Sequence, residues 1–132
     1  MRYLLAYVGA GVTMAVLDAI WLTTMGDRLY RPVIGSIMAD KPDMRPAIVF
    51  YLLYVFGIVF LAVLPGLREG SLSRTLTTAA VFGLVAYATY DLTNQATLRV
   101  WSTQLTLIDL AWGTVVTTAA ALGGYLLARR FG

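Results

Sequence analysis

The sequence predicts an all-α protein, an integral membrane bundle of four transmembrane helices in a single domain over residues 1–132. Three observations point there. Hydrophobic residues make up 59% of the chain and charged residues 13%, with a mean hydropathy of +0.75; globular domains carry about 25% charged residues. Ten basic and seven acidic side chains cannot cover the large relative surface of a soluble chain this small. The apolar residues also gather into four stretches separated by Gly, Pro and charge.

The first helix is expected at about 4–25, "LLAYVGAGVTMAVLDAIWLTTM", where Asp18 is the only charge. At 1.5 Å per residue it crosses a hydrocarbon core of roughly 30 Å. Its apolar run is too long for a signal peptide and no small-residue cleavage site follows, so it reads as retained. The connection over residues 26–46 carries charges around an apolar patch, Val33 to Met38, between Pro32 and Pro42. It reads as a short piece lying along the interface.

The second helix is expected at about 47–64, between Pro46 and Pro65-Gly66. Its β-branched and aromatic content would favour a strand in water, but an isolated strand in lipid leaves its backbone unpaired. The third, about 75–98, is apolar for only 15 residues up to Thr89. To span, it must include the polar stretch containing Asp91 and Asn94. Ser73 is a candidate cap for its start. The fourth, about 104–128, contains Asp109 and closes on Arg129-Arg130. Small residues at 119–124 and at Gly11, Ala15 and Ala19 offer faces for close helix packing.

Four crossings put both termini on one side. Asp18, Asp91 and Asp109 then lie at similar depth, roughly 7–11 Å below the opposite face. Residues three or four apart share a helix face. Asp18 thus goes with Trp21, Asp91 with Asn94 and Tyr87, and Asp109 with Trp112, while the second helix brings Tyr51 and Tyr54 to the same level. The expectation is a half-buried acidic and aromatic pocket, because a carboxylate facing hydrocarbon costs several kcal/mol. Three carboxylates together need protons, a cation or basic partners, and Arg45 and Arg99 are the candidate counter-charges. The plainer alternative is that the three acids only hydrogen-bond helices together.

Histidine and cysteine are both absent, which removes the commonest neutral-pH proton carrier and all thiolate chemistry. The net charge of +3 is scattered over segment ends, as at lipid headgroups, and does not form a nucleic-acid patch. Basic residues are tied, with Arg2, Arg68, Arg74, Arg129 and Arg130 against Arg28, Arg31, Lys41, Arg45 and Arg99. The orientation adopted puts both termini in the cytoplasm.

"LDAIWL" at 17–22, "YDLTNQATL" at 90–98 and "LIDLAWGT" at 107–114 resemble the bacterial membrane protein family called domain of unknown function 2177. The resemblance covers essentially the whole chain. It implies a four-helix protein of the bacterial cytoplasmic (inner) membrane and marks Asp18, Trp21, Asp91, Asn94, Asp109 and Trp112 as characteristic. It implies no activity.

The expected function is to bind or pass a small polar, cationic or proton-linked solute through the pocket. Membrane lipids surround the bundle, and a second copy or a membrane partner protein would enlarge the path. No cofactor is expected on this reading. One alternative is an enzyme acting on a lipid or isoprenoid-like substrate, its acids holding a divalent metal with Asn94 and Gln104. The other is a structural or accessory membrane subunit. No H-E-x-x-H or G-x-S-x-G arrangement is present.

Overall fold

A computed structural model describes residues 1–132 as helices joined by short connections, with no strand. Four continuous helical stretches result: α1 (Arg2–Ile37), α2 (Met44–Glu69), α3 (Leu72–Thr97) and α4 (Thr103–Phe131). Three of them, α1, α2 and α4, are long and apolar enough to cross a membrane. The 26 residues of α3 match α2 in length, but the last part of α3, from Asp91 to Thr97, is polar.

Two prolines expected to lie outside helices lie inside them. Helix α1 continues past Met25 through a π-helical turn, Gly26–Tyr30, and carries Pro32 in the α-helical turn that follows. Helix α2 passes Pro65 in the same way, after the π turn Val59–Val63. A proline ring clashes with the carbonyl four residues back and leaves it without a donor. Those carbonyls, on Arg28 and Leu61, sit within the widened turns. There the Arg31 N–H reaches back to Gly26 O and the Leu64 N–H to Val59 O. The extra residue per turn makes room for the ring. The piece expected along the interface is therefore largely a continuation of α1, ending in a 3₁₀ turn at Gly35–Ile37.

The helix ends follow from their caps. Asp43 accepts the Arg45 N–H at 3.1 Å, so α2 starts at Met44 and holds Pro46 in its first turn, where no bond is lost. Gly70 ends it in the left-handed conformation, φ 64°. There the Ser71 N–H bonds to Gly66 O at 2.8 Å and the Gly70 N–H to Leu67 O at 3.3 Å, a Schellman cap. Ser71, not Ser73, caps α3, accepting the Arg74 N–H at 3.1 Å. Ser102 caps α4 through the Leu105 N–H at 3.0 Å.

Helix α4 is the centre of the bundle, packed lengthwise on α1 and α3, while α2 leans in mainly through its inner face. Small residues allow this. A Cβ on Gly9 would meet Gly123 O at 2.6 Å, and one on Gly124 would meet Ala6 O at 2.7 Å. A Cβ on Gly83 would meet Gly113 O at 2.5 Å. On α1 the seam is Ala6, Gly9 and Ala10, all buried, whereas Ala15 and Ala19 face outward. Thr75 of α3 donates to Ala62 O, in the π turn of α2, at 2.8 Å. That contact ties α2 to the bundle.

The distribution of side chains is that of a membrane protein. Fully buried positions include many alanines, threonines and glycines. The outer surface carries large apolar groups: Val8, Val12, Val16 and Ile20 down one stripe of α1, and Phe50, Leu53, Phe56 and Phe60 on α2. In water so much exposed apolar area would be an aggregation surface. Against lipid tails, close backbone approach and hydrogen bonds hold helices together.

Candidate acidic and aromatic site

Asp18, Asp109 and Asp91 are all buried, to 8%, 5% and 0% exposure. Asp18 of α1 accepts the phenol of Tyr51 from α2 and the indole N–H of Trp112 from α4 at 3.2 Å. Asp109 of α4 accepts the phenol of Tyr30 from α1 at 2.5 Å. The Tyr30 oxygen in turn accepts the indole N–H of Trp21 at 2.8 Å. Trp21 and Trp112 stack, centroids 4.4 Å apart and planes 4° from parallel. The two helices thus cross-link: the tryptophan of each serves the aspartate of the other, directly from α4 and through Tyr30 from α1. Tryptophan has only a donor to offer, so these contacts orient acceptors.

Asp91 of α3 differs from both. Neither of its carboxyl oxygens has a hydrogen-bond partner, and its carboxyl lies beside that of Asp109. No basic side chain compensates the pair. Arg45 bonds instead to Asp43 at the start of α2, 3.5 Å away and largely exposed. Arg99 is exposed in the connection before α4 and forms no ion pair. Neither candidate counter-charge reaches the acids, because both sit outside the apolar interior where water solvates them.

The three acids do not form a group that could hold a metal ion. Asp91 and Asp109 form one pair, and Asp18 has its own donors. Depth along a helix brings residues to one level, but the face they occupy decides whether they meet. Tyr54 bonds Thr117 at 2.8 Å and stacks on Phe82, while Tyr87 packs across Gly113. These rings pack the interior below the acids. Asn94 is half-buried, and Gln104 is exposed. A shallow groove beside the stacked indoles is lined by Leu17, Ile20, Trp21, Thr24, Met25 and Trp112. It is apolar and does not include the acids.

Tyr30 went unrecognised in the sequence because it falls in a segment expected to leave the bundle. The π turn returns it to Asp109. A polar network was also missed: Thr106 donates to Gln95 at 2.7 Å and accepts from Trp101 at 2.9 Å. One signal was available. "LDAIW" at 17–21 matches "IDLAW" at 108–112, placing Asp and Trp three apart on the two helices that cross-link.

No curated protein and no solved structure matches the chain. The family described as "Predicted membrane protein (DUF2177)" matches residues 3–126, nearly the whole length, and the chain belongs to that family.

Proposed function

We propose that the protein crosses the membrane four times and that its buried acids bind a small polar, cationic or proton-linked solute. The observation that carries this reading is Asp91, a carboxyl closed off from solvent with neither oxygen bonded. An unpaired buried acid is costly in a membrane protein, and Asp18 and Asp109 are supplied with donors while Asp91 is not. A purely structural acid gains nothing from that arrangement.

A crossing by α3 is supported by its 26 residues, about 39 Å at helical rise, and by its lengthwise packing on α4. Its polar end turns Asp91 inward. The proposed setting is the bacterial cytoplasmic membrane with both termini inside, the outward apolar side chains meeting lipid. Four helices leave little room for a path within one chain, so passage of a solute would call for a second copy or a membrane partner.

The test uses the protein in lipid nanodiscs with sodium and tetramethylammonium as probes at two pH values. Thermal stabilisation by a probe or by pH, abolished in Asp91→Asn, is the expected result. Identical responses of the two proteins would contradict it.

A further inference from the structure

We propose that Asp91 and Asp109 form a binding site for a single exchangeable proton, held between their two carboxyl groups and braced by Tyr30. This rests on the reading above and names its ligand. The carboxyls lie side by side. Asp91 is at 0% exposure with both oxygens unbonded, and Asp109 accepts Tyr30 at 2.5 Å. Two adjacent buried carboxylates repel strongly, and one proton converts the repulsion into a hydrogen bond. Binding takes a proton from water and changes the pair from doubly to singly charged, with no other bond made or broken.

Larger cations fit the site poorly. Hard divalent ions take six or more oxygens, and two carboxyls with one phenol supply fewer, the phenol hydrogen being already committed to Asp109. The complete burial of the Asp91 oxygens also leaves no room for a water molecule against them, so no hydrated ion is accommodated. A proton needs no space. The titratable groups around the pair are few. Tyr30 comes from α1 and Tyr90 from α3, with Asp18 and Tyr87 further off. From α2, Tyr51 and Tyr54 are turned to Asp18 and Thr117. No arginine or lysine is paired with either acid.

Infrared spectroscopy of the protein in lipid, titrated with pH in water and in heavy water, reads the proton directly. The expected result is a protonated-carboxyl band that shifts in heavy water and disappears with deprotonation. It is lost in Asp91→Asn and in Asp109→Asn alike, keeps its intensity in Asp40→Asn at an exposed acid, and changes frequency in Tyr30→Phe. Carboxyl-¹³C aspartate labelling of the unsubstituted protein must move the band, which keeps the test decisive if a variant fails to fold. A wild-type protein with no such band, or a band surviving in both pair variants, overturns the proton assignment. If sodium or tetramethylammonium binding still depends on Asp91 in that case, the proton assignment fails alone; if it does not, the broader solute reading fails with it.

Discussion

Trp21 and Trp112 lie face to face, 4.4 Å between centroids and 4° from parallel, at the point where α1 and α4 exchange hydrogen bonds to their acids. Trp112 donates to Asp18 and Trp21 to Tyr30, which donates to Asp109. Aromatic stacking of this kind contributes about 0.5–1.5 kcal/mol beyond area, and each donor also satisfies a buried acceptor.

Trp112→Phe should therefore destabilise the bundle by about 1–3 kcal/mol. Phenylalanine preserves much of the ring contact but leaves one Asp18 oxygen without its donor. Thermal unfolding in detergent or nanodiscs measures it. Trp112→Phe as stable as wild type would mean that the indole N–H does not hold Asp18 in place.

Close packing predicts a sharp contrast between glycines. At Gly83 an added methyl meets Gly113 O at 2.5 Å and the Thr117 side chain at 2.7 Å, so Gly83→Ala should cost about 1–3 kcal/mol through overpacking. At Gly26 nothing lies within 4 Å, and Gly26→Ala should be neutral or stabilising by up to about 1 kcal/mol. Unfolding of the two variants side by side checks the pair.

The proposed four-crossing topology predicts sidedness. The chain has no cysteine, so single cysteines report position without background. Cysteine at Ser36 or Arg99 should react with an impermeant maleimide from one side, and cysteine at Ser73 or Arg130 from the other. Ser73 and Arg99 labelled from the same side would mean α3 does not cross.

The all-α membrane class was legible from composition, since so few charges cannot cover a soluble surface. Inward burial of Asp18, Asp91 and Asp109 was legible from its cost. Their grouping was not. Helical rise gives depth, but a chain apolar on nearly every face carries no moment to tell which side turns inward. Pro32 and Pro65 read as boundaries because an ordinary α-helix cannot hold them, and nothing in the composition announced the π turns that do. That concealed the length of α1, and Tyr30 with it. Arg45 and Arg99, at helix ends on the side of the acids, pointed to ion pairs, yet they lie where water already solvates them.

The most direct measurement compares wild type with Asp91→Asn for both stability and response to pH. Asparagine removes a buried carboxyl that has no compensating partner without changing shape, which relieves the cost of burying an uncompensated charge. The expected result is a variant that melts at the same or a higher temperature and has lost its response. A variant that melts lower while responding as wild type does would contradict a ligand-binding role for Asp91 and leave it a structural residue.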